Sequence, residues 1–288
     1  MLFPYVYING DILPLEDARI PVYDLGLLRG YALFDFFRVI DGIPVFAENH
    51  IDRLENSLKL MRLQTDLSRE QWHELFYKMI KVNAVTRAGF RVIVSGGFSE
   101  DGYSIPEKKN VYLMLHQLPE DVPTPYQQGV RLLTVDYQRD MPLAKSTNYL
   151  ESMLLQPEMK AQGAFEVLYH QGGIIRECSR CNIFFIDQKG EIHTPDQDVL
   201  RGITRLKVLE SIRETGIPVH EREIHLHELS SVAGAFLTAT TKGVLPVDRI
   251  GDQIIGDGQV HPLAKSLHEA YEQKVARYIE EAQQKRNR

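Results

Sequence analysis

A primary amine and a carboxylate, Lys145 and Glu177, bracket the stretch of this 288-residue sequence with the most chemical promise. Lys145 follows a short turn in Pro142-Leu143-Ala144-Lys145-Ser146-Thr147-Asn148-Tyr149, and Glu177 lies in Ile175-Arg176-Glu177-Cys178-Ser179-Arg180-Cys181-Asn182. A helical segment and the apolar strand Glu166-Val167-Leu168-Tyr169 separate them, which is enough chain to return the acid to the neighbourhood of the amine. Such a pair suits a pyridoxal phosphate (PLP) site. The amine would form the Schiff base, and the acid would keep the pyridine nitrogen protonated so that the ring draws electrons from the substrate. A Lys–Glu pair on its own is more often a solvated surface pair, so this reading rests on the surrounding residues.

The only two cysteines, Cys178 and Cys181, are spaced C-x-x-C and raise a rival chemistry, a redox dithiol or half of a zinc site. A zinc site needs two further ligands of matching spacing, and the sequence has no second C-x-x-C or H-x-x-x-H pair. His225 and His227 are one residue apart, poor spacing for a helical chelate. A redox pair usually opens a helix, whereas Cys181 leads into the strand-like Asn182-Ile183-Phe184-Phe185-Ile186. Composition narrows the field further. The hydrophobic fraction is 43% with 25% charged residues, as in ordinary globular proteins, and the net charge of -6 argues against a nucleic-acid surface. No apolar run spans a bilayer and Met1-Leu2-Phe3-Pro4 lacks the features of a signal peptide, so the expected location is the cytoplasm, with no membrane partner.

The elements that must carry these groups fall into two halves. Strands are expected at 4–9, 31–40, 90–95 and 111–117, with a helix from Glu48 and a second over 69–86, N-capped by Ser68. A polar Gly-rich loop, Gly96 to Ser104, lies between the last two strands. Pro119, Pro123 and Pro125 mark the boundary, giving a small N-terminal domain over 1–117, an interdomain loop over 118–128 and a larger domain over 129–288. The second half holds strands near 130–136, 165–169, 182–187 and 233–239. Its helices lie near 148–162, 203–215 and 262–284, the first kinked or split by Pro157. Residues 283–288 read as a fraying polar tail.

With these motifs in order the chain resembles the class IV, or fold-type IV, PLP-dependent aminotransferases over about residues 5 to 275. The resemblance rests on Tyr7-Ile8-Asn9-Gly10, Asp24-Leu25-Gly26 with Gly30, and His50-Ile51-Asp52-Arg53-Leu54. It continues through Lys145 with Asn148-Tyr149, Glu177 with Asn182, Leu200-Arg201-Gly202-Ile203-Thr204-Arg205, and Thr238-Ala239-Thr240-Thr241. It implies an α/β (α+β) two-domain fold with a barrel-like mixed sheet in the larger domain, PLP between the domains, and a homodimer. It further implies that Lys145 is the Schiff-base lysine and proton carrier, that Glu177 partners the pyridine nitrogen, and that Tyr149 bonds the phenolic oxygen. Arg53, Thr204 and Thr240, with the N–H groups of Ile203 and Thr204, match the phosphate cup. A helix start at 203 is physically suited to a dianion, and an arginine adds paired donors.

For the substrate, Arg29, Arg91 and Arg180 fall where the family places its substrate side, with Phe34 and Thr241. Guanidinium groups suit carboxylates, of which glutamate and 2-oxoglutarate carry two. The R-x-H pair of familiar D-amino acid transaminases is missing from Gly96–Gly102. Phe34-Asp35-Phe36-Phe37-Arg38 also departs from the Phe-Glu-Gly-x-Arg of branched-chain enzymes. The resulting expectation is a D-amino acid transaminase with an arginine-built site, acting on D-glutamate or D-alanine with a 2-oxo acid. A branched-chain L-amino acid aminotransferase is the alternative, and an aminodeoxychorismate-lyase-type enzyme stands behind both.

Overall fold

Ser68 caps its helix as expected: its side chain accepts from the Gln71 N–H, and the Gln71 side chain accepts from the Ser68 N–H in return. A computed structural model describes residues 1–119 and 123–286, so residues 120–122 of the expected interdomain loop and the last two residues of the polar tail lie outside it. The chain forms two compact units, Met1–Pro119 with Leu143–Asn148 and Arg277–Arg288, and Glu120–Pro142 with Tyr149–Ala276.

The first unit contains β1 (Tyr5–Ile8), β2 (Asp11–Pro14), α1 (Leu25–Arg29), β3 (Ala32–Ile40), β4 (Ile43–Pro44), α2 (Ala47–Leu60), α3 (Arg69–Val82), β5 (Arg87–Ser95) and β6 (Asn110–His116). Its sheet runs β2-β1-β6-β5-β3-β4 with antiparallel neighbours. Strand β3 reads poorly as an alternation because both of its faces are covered. Leu33, Asp35, Phe37 and Val39 are fully buried on one side, while Ala32 and Phe34 are buried on the other. Phe37 stacks on Phe90 with ring centroids 4.9 Å apart, and Phe76 of α3 packs against both. Gly89 is dictated by contact: a Cβ there would come within 2.3 Å of the Phe36 ring.

The second unit contains α4 (Thr124–Gln128), β7 (Val130–Asp136), α5 (Leu150–Leu154), α6 (Gln156–Ala161), β8 (Glu166–Gln171), β9 (Ile174–Cys178), β10 (Asn182–Ile186) and β11 (Ile192–Thr194). It continues with α7 (Ile203–Thr215), β12 (Val219–Glu221), β13 (Gly234–Ala239), β14 (Gly243–Ile250), β15 (Gln253–Ile254) and α8 (Pro262–Arg286). The sheet is mixed, in the order β12-β11-β10-β13-β14-β7-β8-β9, with parallel pairs at β11/β12, β14/β7 and β7/β8.

Pro157 does split its helix, into α5 and α6, and sits in the first turn of the latter where its missing N–H removes no bond. Strand β14 escapes a reading by pattern because Pro246 argues against an interior strand. The ladder to β7 begins only at Val247, so the proline precedes it on that side. Two expectations need correction. The second helix ends at Val82 rather than 86, where Asn83 caps it and donates back to the Met79 carbonyl. Residues 283–286, expected to fray, are helical within α8, with the Arg286 guanidinium 4.7 Å from the centre of the Tyr77 ring.

Candidate active site

In the first unit Lys145 is held on a short segment laid against the N-terminal end of β3. Its carbonyl accepts from the Phe34 N–H at 2.9 Å, its N–H donates to the Ser57 hydroxyl of α2 at 3.2 Å, and Ser146 bridges to Leu33. The ammonium stands 4.6 Å from the centre of the Phe34 ring. The same ring carries the Arg91 guanidinium 5.1 Å from its centre, which bounds the amine-to-guanidinium separation by the sum of those two distances. Arg91 also lies 5.4 Å from the Phe36 ring centre, and its Nε donates to His116 Nε2 at 3.3 Å. His116 is neutral as an acceptor, since burial and then the Arg91 charge push its pKa down.

Arg53 is buried one helical turn after His50, and both side chains converge on Asp35. Arg53 Nε donates to Oδ2 at 2.9 Å, its Nη2 to Oδ1 at 2.8 Å, and His50 Nδ1 to Oδ1 at 2.7 Å. Burial alone would raise the Asp35 pKa, but the charges and donors of Arg53 and His50 outweigh it and hold the carboxyl well below the usual range. His50 is pushed down, first by burial, against the pull of Asp35. Arg53 is thereby fixed in orientation by two of its five N–H donors, which suits a residue meant to present the others to an anion.

In the second unit Glu177 lies one residue before the end of β9 and is clamped on both oxygens. Oε1 accepts from Arg139 Nε at 3.0 Å and pairs with its Nη2 at 2.8 Å; Oε2 accepts from the Leu200 N–H at 2.9 Å and from Asn182 Nδ2 at 3.4 Å. These donors suit a carboxylate, the form needed to hold a protonated pyridine nitrogen. Tyr149 has its pKa pushed up to about 12, chiefly by burial, so it is a phenol able to donate a hydrogen bond. Helix α7 opens at Ile203 behind Gly202, which offers no side-chain cap, so the N–H groups of Ile203 and Thr204 keep the geometry of an anion-binding helix start. A Cβ on Gly202 would meet Asn182 Oδ1 at 2.2 Å. Asn182 Nδ2 also donates to the Leu200 carbonyl at 2.9 Å, so one amide ties the Glu177 side to the α7 start. Thr240 and Thr241 lie in the turn between β13 and β14, half-buried. The first unit offers an amine and an oriented arginine, and the second a clamped carboxylate, a phenol and an uncapped helix start; these are groups whose chemistry fits PLP.

The remaining arginines sit differently from one another. Arg29 is exposed in the last turn of α1 and donates to the Leu28 carbonyl at 3.0 Å, with a terminal nitrogen 3.9 Å from a Cβ position at Gly102. Arg180 Nε donates at 2.9 Å to Glu166, whose side chain is 1% exposed while that of Arg180 is 61% exposed. Glu166 accepts from Ser179 as well, at 2.6 Å. Sequence reasoning missed Asp35, Arg139 and Glu166. Asp35 had a legible signal, a charge within an apolar strand, but Arg139 sits in a polar loop where nothing in local pattern marks it. Cys178 and Cys181 are buried and not joined in a disulfide, and burial raises the Cys178 thiol well above its ordinary pKa, unlike a reactive dithiol.

The family model for amino-transferase class IV matches residues 32–250. The chain is 31% identical over 276 residues to a putative branched-chain-amino-acid aminotransferase of Methanocaldococcus jannaschii, covering 92% of this chain and 94% of that one. It is 27% identical over 278 residues to a D-alanine aminotransferase of Listeria monocytogenes, covering 94% and 96%. In structure it is similar to the T.th. branched-chain amino acid aminotransferase with pyridoxamine 5'-phosphate, with a TM-score of 0.87 at 25% identity over 95% and 94% of the two chains. With its two-unit α/β fold and residues that fit PLP, the chain belongs to the class IV aminotransferases, PLP-dependent enzymes of fold type IV.

Proposed function

We propose that this aminotransferase acts on D-amino acids, D-glutamate or D-alanine, with a 2-oxo acid such as 2-oxoglutarate as acceptor. The observation that carries the reading is the pairing of Lys145 and Arg91 over one Phe34 ring. A guanidinium that shares an aromatic ring with the amine supports this reading, since it can pair with a substrate carboxylate. Arg180, anchored by buried Glu166, and Arg29 serve as further carboxylate contacts, and Thr241 lines the substrate side. The likeness to a D-alanine aminotransferase supports this choice.

When bound, PLP supplies the electron sink that makes the substrate Cα proton acidic. Lys145 would be the residue that anchors the cofactor through its amine and, once free, would serve as the base and acid that moves the substrate proton. Glu177 would keep the pyridine nitrogen protonated, Tyr149 would donate to the phenolic oxygen, and Arg53, Ile203, Thr204 and Thr240 would hold the phosphate. The enzyme works as a homodimer. Support comes from exposed apolar side chains of the first unit, including Ile20, Val22, Leu27, Tyr103 and Ile105, which light scattering in solution puts to the test.

The branched-chain alternative is favoured by the Methanocaldococcus relative. A half-reaction screen of D- and L-amino acids, read from the cofactor's colour, separates the two. D-Glutamate or D-alanine should convert it, and Lys145→Ala should abolish both colour and turnover. Turnover of L-leucine with none of either D-amino acid rejects the D-specific reading.

A further inference from the structure

We infer that Arg139 is a positioning residue for the pyridine-binding carboxylate, an inference that rests on the assignment of Glu177 above. Arg139 is 10% exposed and Glu177 7%, so the pair is closed to solvent. Two guanidinium nitrogens, Nε at 3.0 Å and Nη2 at 2.8 Å, converge on the single oxygen Oε1. Nη2 also donates to the Pro142 carbonyl at 2.5 Å, which anchors the guanidinium to the backbone of its own loop. The other oxygen, Oε2, is fixed by the Leu200 N–H and Asn182.

This division has a chemical consequence. A buried carboxylate without a counter-charge takes up a proton or turns toward water, and in either case it ceases to be an acceptor for a pyridinium. Arg139 supplies that counter-charge from a fixed direction. It leaves the carboxylate ionised and stops it rotating, while the Leu200 N–H sets the plane. Arg139 therefore acts on the cofactor through Glu177 and touches no reacting atom. A lysine would keep the charge but not the two donors that meet at one oxygen.

The test compares apoenzyme affinity for PLP with that for 1-deaza-PLP, which has a C–H where PLP has its pyridine nitrogen. The wild-type protein should prefer PLP, and Glu177→Gln should lose that preference. Arg139→Gln should lower the preference by about tenfold with little change in affinity for the deaza compound, and Arg139→Lys should lower it by less, about threefold. An unchanged ratio in both Arg139 variants that bind the deaza compound normally overturns the inference. A rise in the ratio does so too, since it would make Arg139 a competitor for the carboxylate. Equal loss of affinity for both compounds marks a merely structural role and also overturns it. If Glu177→Gln keeps the wild-type ratio, the assignment of Glu177 itself fails, a result distinct from any of these. Should Arg139→Gln not fold, Arg139→Lys carries the comparison.

Discussion

Asp35 shows how far a single buried charge shapes this protein. It satisfies His50 and holds Arg53, so removing its charge strands a guanidinium away from water. Asp35→Asn should cost about 3–5 kcal/mol of stability, read by denaturant unfolding. The pH dependence follows from two shifts of the same direction. Both Asp35 and His50 have lowered pKa values when folded, so the unfolded chain binds more protons than the folded one. Their contribution is present above the ordinary histidine value of 6.5 and declines as pH falls below it, then declines again below the ordinary aspartate value of 3.8. Unfolding measured from pH 8 to 4 should show stability dropping toward acid; a flat profile contradicts this. The thiols give a second residue-scale test. Because Cys178 and Cys181 are buried, iodoacetamide should label neither in the native protein and both after unfolding. At this scale the sequence offers candidates where type and motif coincide, as at Lys145, Glu177 and Arg53. It was silent where a role depends on a partner distant in the chain, as for Arg139 with Glu177.

Among the elements, α7 was the most readable, with its bounds evident from Gly202 and Gly216 on either side. What the sequence could not convey is why Gly202 must be glycine. The reason is the Asn182 side chain, brought against it by the pairing of β10 with β13. Gly202→Ala should displace the helix start or Asn182, and so weaken binding of phosphate-bearing cofactor by about tenfold while leaving α7 helical. Calorimetry with PLP measures the first and circular dichroism the second. Strands β9 and β14 were harder to see. The first is short and carries Arg176 and Glu177, and the second contains Pro246, so neither offers the alternation or apolar run that marks a strand. Their pairing is imposed by neighbours in the sheet.

At the scale of the molecule, the division into units does not follow a single cut in the chain, which no composition shift reveals. Leu143–Asn148 and Arg277–Arg288 group with the first unit, although both lie beyond Pro119 in the sequence. Tyr278 shows what the late segment contributes: its ring packs 4.9 Å from Phe46, and its hydroxyl accepts from the Ala47 N–H at 3.2 Å, at the start of α2. Tyr278→Ala should therefore cost about 2 kcal/mol, seen as a lower Tm, although it lies more than two hundred residues from that helix. The lysine segment has the opposite bearing, on exchange between relatives rather than on stability. A chimera made with one crossover after residue 119 would set a borrowed β3 and α2 beside the resident Lys145 segment, whose backbone leans on Phe34 and Ser57. Recombination that respects the protein's own seams has to move residues 143–148 and 277–288 along with the first 119, as one inheritance in three pieces.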